Sequence, residues 1–292
     1  MNISLIIVNY NGEKFLPVYL PDIAKYCNES GISLLVTDDQ STDGSIEFLK
    51  AAQIKFTINQ SVHHGFAANV NNGVKFAKAQ DQIDYFIIAN NDVQISRYLL
   101  PKLKKVIQEI SIRDSKVGLI GFNEMFYNNQ NDYLAFDYIT YSPNQFSKSN
   151  SLPGCFFIIS KYLLDEIGYM DEEYFMYGED NDYFVRTLKA GFSIYNTNLP
   201  VMHYSEGSSI NSKLTSWYVY RNAFLFAQKN LGIVGFTKIF LSFLNQIYNP
   251  FYVSQNNSNL RVTRNGIFYN SYLLIKSMAW NFRYFLKKHF LS

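Results

Sequence analysis

The sequence has 292 residues, 48% of them hydrophobic and 17% charged, which is enough apolar material for a sizeable core and excludes a disordered chain. Its two cysteines, Cys27 and Cys155, form neither a disulfide framework nor a metal-binding spacing, and this fits a reducing compartment. The net charge of +2 is uneven, because residues 1–206 hold 24 acids and 16 Lys or Arg whereas residues 207–292 hold ten Lys or Arg and no acid, which favours an anionic partner for the basic end.

The first half of the chain alternates short apolar runs with helical patterns. We predict strands at Ile3–Asn9, Ser33–Thr37, Lys55–Ile58, Tyr85–Ala89 and Val117–Gly121. We predict helices at Phe15–Cys27, Ser45–Ala51, Phe66–Ala79 and Tyr98–Ile110. This alternation is typical of an α/β fold with a mostly parallel sheet covered on both faces. The first run is expected to be a buried strand rather than a signal peptide, and no stretch reaches about 18 clean apolar residues, so we expect no transmembrane helix.

The second half has weaker patterns. Residues 123–152 are rich in Asn, Tyr and Ser, and we expect loops or a small antiparallel excursion there. The elements predicted beyond them are a strand at Cys155–Ser160, a helix at Asn181–Ala190 closed by Gly191, an extended stretch at Ile194–His203 and a helix at Ser212–Asn230. A flexible polar loop is expected at Ser205–Ser209.

Polar clusters rich in Asn and Asp follow three of the predicted strands. They are Asn9-Tyr10-Asn11-Gly12, Asp38-Asp39-Gln40-Ser41-Thr42-Asp43-Gly44-Ser45 and Asn90-Asn91-Asp92. Turn chemistry explains any one of them, since these residue types dominate turns. Because ligands of open α/β sheets bind beyond the carboxyl ends of the strands, three clusters at one edge favour a shared site.

Each carboxylate in these clusters has two interpretations. Asp38 and Asp39 suit hydrogen bonds to a ribose hydroxyl or a base N–H, or else a turn with a helix N-cap. Asp92 suits a divalent cation shared with substrate phosphates, or else a cap before the next helix. The sequence has no GxxxxGK[ST] loop and no GxGxxG after a strand, which counts against P-loop enzymes and dinucleotide dehydrogenases.

Three acids stand among aromatics in FMYGEDNDYFVR, residues 175–186. Glu179, Asp180 and Asp182 are explained either by favourable charge at a helix start or by a general base in a partly closed apolar pocket, where burial raises a carboxylate's pKa. His203 is likewise either a structural histidine or a ligand beside a mobile loop.

The sequence resembles glycosyltransferase family 2, and in particular its bacterial rhamnosyltransferase-like branch, in eight segments that follow the family's order. They are VNYNG, VTDDQSTDGS, GFAANVNNG, IIANNDV, LPGCFFIIS, DEEYFMYGEDNDYFVR, the His of VMHYSEGSS, and YRNAFLFAQKN. The resemblance covers residues 5–230. It implies a GT-A fold and an inverting transfer of a sugar from a UDP- or dTDP-activated donor to a hydroxyl of a glycan or lipid-linked glycan, as in synthesis of cell-surface polysaccharide.

The resemblance also implies roles for individual residues. Asp180 would be the catalytic base and Glu179 would orient the acceptor, while Asp182 supplies charge at the helix start. Asp92 and His203 would hold Mn²⁺ or Mg²⁺. The implied donor-binding residues are Val8, Asn9, Tyr10, Asp38, Asp39, Asn71, Asn90, Asn91 and Arg221.

Two departures from the family pattern bear on these roles. The metal motif Asn90-Asn91-Asp92 offers a single carboxylate, and Asp39 stands where the family usually has Asn. A catalytically inactive nucleotide-sugar-binding or assembly protein of the same fold is therefore the alternative. A sugar-1-phosphate nucleotidyltransferase is discounted, because the expected N-terminal Gly-rich basic loop is missing.

The division predicted is a catalytic domain over residues 1–230 and a basic, aromatic-rich helical extension over residues 231–292. In 231–249 the apolar residues share one helical face, and Ile267–Leu291 places Trp280, Phe282 and Phe285 beside basic residues. Such helices lie on anionic membranes, or else they pack on the catalytic domain or on a second subunit as a homodimer. No nucleic-acid reader module is present, so no nucleic acid is expected as a partner. The expected location is the cytoplasm, at the inner face of the membrane if the extension binds lipid.

Overall fold

The structure is a computed structural model that describes residues 1–58, 64–80, 82–127, 145–204, 213–248 and 266–290. By its internal contacts the chain divides into two units, one made of Met1–Phe175 with Tyr183–Gly207 and the other of Met176–Asp182 with Ser208–Ser292. The boundary predicted at residue 230 falls inside the second unit. The functional division at that residue stays a prediction.

Nine strands of the described residues form a single sheet in the first unit. They are β1 (Ile3–Asn9), β2 (Ser33–Asp38), β3 (Phe56–Ile58), β4 (Tyr85–Asn90), β5 (Val93–Gln94), β6 (Val117–Tyr127), β7 (Phe146–Ser149), β8 (Phe156–Ser160) and β9 (Ser193–Tyr204). Their spatial order is β3-β2-β1-β4-β8-β6-β9-β5, and β7 pairs with β9.

The sheet is parallel in its first half and mixed beyond β4. Strands β3, β2, β1 and β4 run parallel to one another. Strand β8 is antiparallel to both β4 and β6, while β6 and β9 are again parallel. The expectation of a mostly parallel sheet therefore needs this correction, whereas the α/β class is confirmed.

Six helices of the first half and middle of the chain accompany the strands. They are α1 (Leu16–Ser30), α2 (Ser45–Ala51), α3 (Phe66–Gln80), α4 (Leu99–Arg113), α5 (Lys161–Ile167) and α6 (Glu179–Lys189). The sheet has an apolar core on each face, because alternate residues of β1 and β4 belong to two separate apolar cores. Leu5 and Ile87 pack in one core, and Ile6 and Ile88 pack in the other. This two-sided burial is why both strands read as continuous apolar runs.

The region expected to hold loops contains two strand segments. Asn123–Tyr127 prolongs β6, and β7 pairs antiparallel with β9, as the small antiparallel excursion predicted. Residues 128–144 and the predicted loop Ser205–Ser209 lie outside the described residues, as do Ser212, Asn249 and Leu291 at the ends of predicted helices.

The second unit has its own helical core. Helix α7 (Lys213–Phe226) continues through a π-helical turn, Ala227–Leu231, into α8 (Gly232–Tyr248), and α9 (Gly266–Phe290) follows. Buried aromatic and aliphatic side chains join the three helices: Tyr220, Phe224, Phe243, Ile247, Leu273 and Leu274. The continuous helical run Leu214–Tyr248 is long and apolar enough to cross a membrane by length and composition alone, which the sequence analysis did not expect. A core helix of a soluble protein passes the same test.

Candidate active site

A hydrogen-bonded polar chain lies at the carboxyl ends of β1 and β2. Asn91 Nδ2 donates to Asn9 Oδ1 at 2.7 Å, and Asn9 Nδ2 donates to Asp38 Oδ2 at 2.7 Å. Asp38 also accepts from the backbone N–H and the hydroxyl of Ser41, both at 2.7 Å. Asn9 and Asp38 are fully buried. The structure therefore brings the three predicted strand-end clusters together at one edge of the sheet.

Two further residues shape this edge: Asn69, for which no role was predicted, and Gly12, which was predicted only as a member of the first cluster. Asn69 on α3 donates to the backbone carbonyls of Asn9 and Thr37, at 2.9 and 3.2 Å, and so ties the ends of β1 and β2 together. Gly12 lies so close to the polar chain that a Cβ there would stand 2.0 Å from Asn9 Oδ1 and 2.5 Å from Asn91 Nδ2.

The remaining residues at the strand ends differ in burial and in hydrogen bonding. Val8 is buried and pairs in register with Asn90, and the Tyr10 side chain is exposed. Asp39 is buried and accepts the backbone N–H of Gly65 at 2.9 Å, so it braces the segment that leads into α3. Asn90 has a buried side-chain oxygen that makes no hydrogen bond within the described ranges.

Asn71 is engaged by the chain segment before α6. Its amide nitrogen donates to the Met170 carbonyl and to Glu172 Oε1, both at 2.8 Å, and its oxygen accepts the Met170 N–H at 3.0 Å. These bonds use both sides of the amide and give Asn71 a bracing role. Its implied part in donor binding stays a prediction.

Asp92 and His203 meet through the short strand β5. Val93 is the register partner of His203, and the Tyr204 N–H donates to the Asp92 carbonyl at 3.1 Å. This pairing sets Asp92 Oδ1 3.2 Å from His203 Nε2. The two residues assigned to a metal are thus neighbours in space, although 110 positions separate them in the sequence.

A second carboxylate stands on the other side of the imidazole. His203 Nδ1 lies 2.6 Å from Glu124 Oε1, and the Cys155 thiol belongs to the same cluster. Burial opposes protonation of His203, but the interactions with Asp92, Cys155 and Glu124 prevail and raise its pKa to about 12. Burial would raise the pKa of Glu124, but the hydrogen bonds to His203 and Cys155 together with the charge of His203 outweigh burial and lower it.

The Asp92–His203 pair fits a divalent cation. Asp92 Oδ1 is buried and pairs with His203 Nε2 at 3.2 Å, so these two ligand atoms lie close enough to bind one cation. Glu124 occupies Nδ1 of His203, which leaves Nε2 facing that oxygen, and a cation at Nε2 would take the place of its proton. One carboxylate and one imidazole are few protein ligands, as expected for a cation that is completed by substrate oxygens.

Glu179 and Asp180 begin helix α6, in the part of the helix that belongs to the second unit. Burial, followed by the charge of neighbouring Asp180, raises the pKa of Glu179 to about 8. Burial also raises the pKa of Asp180, although backbone N–H donors, including that of Asn181 at 2.7 Å, work in the opposite direction. Raised carboxyl pKa values are the condition that a general base needs to accept a proton near neutral pH.

Helix α7 and the π-helical turn that follows it anchor this acidic segment within the second unit. Asn222 Nδ2 donates to the carbonyls of Met176 and Tyr177, at 2.7 and 2.6 Å. Asn230 Nδ2 donates to Asp182 Oδ1 at 2.8 Å. Tyr177 has a φ of 67°, an uncommon conformation for a residue other than glycine. Asp182 is therefore a buried, hydrogen-bonded anchor in addition to being a charge at the helix start, which corrects the simpler expectation.

Arg221 is buried between two aromatic rings of the second unit. Its guanidinium carbon lies 4.7 Å from the ring centroids of both Tyr218 and Trp280, and Nε donates to Asn222 Oδ1 at 2.7 Å. Stacking of this kind fixes the orientation of the guanidinium group. The implied contact of Arg221 with the donor diphosphate stays a prediction.

The model of the family described as "Glycosyl transferase family 2" matches residues 4–168. The low-salt glycan biosynthesis hexosyltransferase Agl10 of Haloferax volcanii is 22% identical over 202 residues, which are 66% of this chain and 64% of Agl10. S. aureus TarS 1–349 in complex with UDP-GlcNAc is similar with a TM-score of 0.57 and 17% identity, over 96% of this chain and 80% of that one. The mannosyltransferase PcManGT from Pyrobaculum calidifontis, in complex with GDP-Man and Mn²⁺, has a TM-score of 0.54 and 13% identity, over 95% and 73%.

Proposed function

The chain belongs to glycosyl transferase family 2, and from this premise we propose that it transfers a sugar from a nucleotide-activated donor to a hydroxyl group of an acceptor. The GT-A fold is confirmed by the likeness to the TarS and PcManGT structures. Membership of the rhamnosyltransferase-like branch stays a prediction. The observation that carries the proposal is the buried Asp92–His203 pair at the end of the sheet where the polar chain lies.

We assign the nucleotide sugar to this edge of the sheet. TarS was solved with UDP-GlcNAc and PcManGT with GDP-Man, which supports a nucleoside diphosphate as the carrier. UDP- and dTDP-sugars are the donors proposed for this chain. Asn90 is the residue best suited to contact the donor directly, because its buried side-chain oxygen makes no hydrogen bond in the described part of the chain. Asn9 and Asn91 would hold that edge in shape through their bonds to each other and to Asp38.

Asp92 Oδ1 and His203 Nε2 would hold Mn²⁺ or Mg²⁺. When bound, the cation would act as a Lewis acid on the departing diphosphate. Glu124 keeps the imidazole oriented for this purpose through its bond to Nδ1.

We propose Asp180 as the general base of an inverting reaction. Its carboxylate accepts the proton of the acceptor hydroxyl, the hydroxyl oxygen forms a bond to the anomeric carbon, and the bond from that carbon to the diphosphate oxygen breaks. Glu179, whose raised pKa keeps its carboxyl group protonated near neutral pH, orients the acceptor by hydrogen bonding. Electrons and the proton balance, since the nucleoside diphosphate leaves with the electron pair of the broken bond.

The acceptor proposed is a glycan or a lipid-linked glycan, in the synthesis of cell-surface polysaccharide. Agl10 is a glycan-biosynthesis hexosyltransferase by name, which supports a glycan product. The location proposed is the cytoplasm, at the inner face of the membrane where the acceptor is lipid-linked.

Replacing Asp180 tests the catalytic assignment. We expect Asp180→Asn to lower turnover by about 10²–10⁴-fold, the usual contribution of a positioned base, while donor affinity stays unchanged. Turnover is measured with Mn²⁺ over a panel of UDP- and dTDP-sugars, and donor affinity is measured by thermal shift. Asp165→Asn is the matched control, because Asp165 is a surface acid paired with Lys78 and Lys161.

Two outcomes would contradict the proposal. Full turnover of Asp180→Asn would remove Asp180 from the chemistry. Tight donor binding by the wild type without transfer or donor hydrolysis under any condition would favour the inactive nucleotide-sugar-binding protein, for which the single carboxylate of Asn90-Asn91-Asp92 leaves room.

A further inference from the structure

Helix α9 (Gly266–Phe290) buries one of its faces in the second unit. The buried residues on this face are Asn270, Leu273, Leu274, Ser277 and Asn281. Leu273 and Leu274 belong to the apolar core shared with α7 and α8, and Asn281 Nδ2 donates to the Arg221 carbonyl at 3.0 Å. These contacts therefore identify the inner face of α9.

The face opposite this buried one is apolar as well. Phe268 is 93% exposed, Tyr272 55%, Ile275 69% and Phe282 62%. At 3.6 residues per turn these four side chains fall on one line along the helix, about half a turn away from Leu273, Ser277 and Asn281. We call them the α9 stripe. A surface helix ordinarily carries polar residues in this position, so the stripe needs an explanation.

Basic residues border the stripe on one side. Lys276, Arg283 and Lys287 follow the same helical spacing, about a quarter turn from its centre line. Residues 207–292 contain no Asp or Glu, so no acid of this part of the sequence neutralises them. The outer surface of α9 thus combines large exposed apolar side chains with a positive edge.

We propose that the α9 stripe docks on the surface of an anionic lipid bilayer. The helix lies in the plane of the interface, with Phe268, Ile275 and Phe282 among the acyl chains and the basic edge at the anionic headgroups. The inference goes beyond the proposed catalytic function and does not depend on it.

Charge favours lipid over the other occupants of such a surface. Two copies of this chain that met through the stripe with antiparallel helices would place both positive edges on the same side, which costs free energy. A nucleic acid would offer phosphates to the edge but nothing to the four exposed apolar side chains at its centre. An anionic bilayer satisfies both parts of the surface.

Vesicle flotation of the full chain tests this proposal. We expect the wild type to float with vesicles of phosphatidylglycerol and phosphatidylcholine, and far less with phosphatidylcholine alone. The triple variant Phe268→Ser, Ile275→Ser, Phe282→Ser is expected to lose at least tenfold in vesicle affinity. Its matched control is Ile112→Ser with Tyr162→Ser, which removes two exposed apolar side chains of the first unit.

The basic edge is tested separately. Arg283→Gln with Lys287→Gln is expected to lower affinity for the anionic vesicles by roughly tenfold and to leave binding to neutral vesicles unchanged. Lys25→Gln with Lys50→Gln, which removes two exposed lysines of the first unit, is the control. Circular dichroism melting curves confirm folding, since all these side chains lie outside the buried core.

Equal flotation of the wild type and the triple variant would overturn the proposal. So would a wild type that ignores anionic vesicles but forms a dimer by light scattering which the triple variant abolishes, because the stripe would then bind a second copy. Donor binding is measured in the same samples. A variant that binds the donor but no longer floats has lost membrane docking alone, which separates this outcome from a failure of the catalytic proposal.

Discussion

Glu124 shows at the scale of one residue how a side chain behind the proposed metal ligands can matter. Its carboxylate lies 2.6 Å from His203 Nδ1, and it holds the imidazole with Nε2 towards Asp92. We expect Glu124→Gln to weaken Mn²⁺ binding about 10–100-fold, the usual cost of changing a partner behind a ligand. Isothermal titration of Mn²⁺ in the presence of UDP measures this without any turnover.

The control for Glu124 is Glu109→Gln, an acid of α4 whose Oε1 lies 4.0 Å from Lys105 Nζ. Unchanged Mn²⁺ affinity in a folded Glu124→Gln protein would mean that the carboxylate merely fills space beside the histidine. A loss of affinity with unchanged thermal stability would establish it as a positioning residue.

Glu179 predicts a pH dependence of stability. Its pKa is raised from 4.5 to about 8, so the folded state holds this proton more tightly than the unfolded state does. The contribution of Glu179 to the free energy of unfolding is therefore greatest below pH 4.5 and falls as pH rises towards 8. Glu179→Gln, which keeps the shape and does not titrate, is expected to flatten this decline and to be the more stable protein at pH 8.

Urea unfolding at pH 5 and pH 8 measures the effect of Glu179. Glu173→Gln, an exposed acid a few residues earlier, should retain the wild-type decline. If Glu179→Gln also declined in parallel with the wild type, the buried carboxyl group would not be the titrating one.

At the scale of elements, the turn before α3 depends on a glycine. Gly65 has a φ of 86°, and a Cβ there would stand 1.9 Å from the Phe175 carbonyl oxygen, which accepts the Phe66 N–H at 2.8 Å. Gly168 has a similar φ of 76° but no atom within 4 Å of the Cβ position. We expect Gly168→Ala to cost about 1–3 kcal/mol from its backbone conformation alone, and Gly65→Ala clearly more.

Urea denaturation of the two alanine variants makes this comparison. Both glycines have a positive φ, so an excess cost at Gly65 points to the close approach to Phe175. Equal costs would show that the Phe175 carbonyl shifts without loss.

The elements with a strong local pattern were predictable from the sequence, and those defined by distant pairing were not. Strand β1 and helix α2 have the predicted bounds, because a continuous apolar run and a short helical pattern between turn residues mark them. Strand β5 has only two residues and exists through its pairing with β9. The extension of β6 over Asn123–Tyr127 likewise depends on its parallel partner. No local periodicity records such pairings.

At the scale of the whole molecule, the part of the candidate site that lies at the strand ends was predictable from the sequence. Parallel topology sufficed to bring Asn9, Asp38 and Asn91 together. Glu124 was not predicted, because it lies in a segment expected to be a loop. Had that segment been predicted as a strand next to the strand of His203, an acid there would have indicated a partner for the histidine. The α9 stripe was not predicted in detail. The sequence shows which residues of the helix are apolar, but only the packing shows which apolar face is buried and which is exposed.

Asn222 and Asn230 on the second unit's helical run hold Met176–Asp182, a piece of chain that the sequence places more than thirty residues earlier. Anyone building chimaeras from two relatives would therefore have to move both stretches together. Exchanging the basic end alone would transplant the helices without the seven residues packed on them, and Asp180, the proposed base, would be held by helices from another protein.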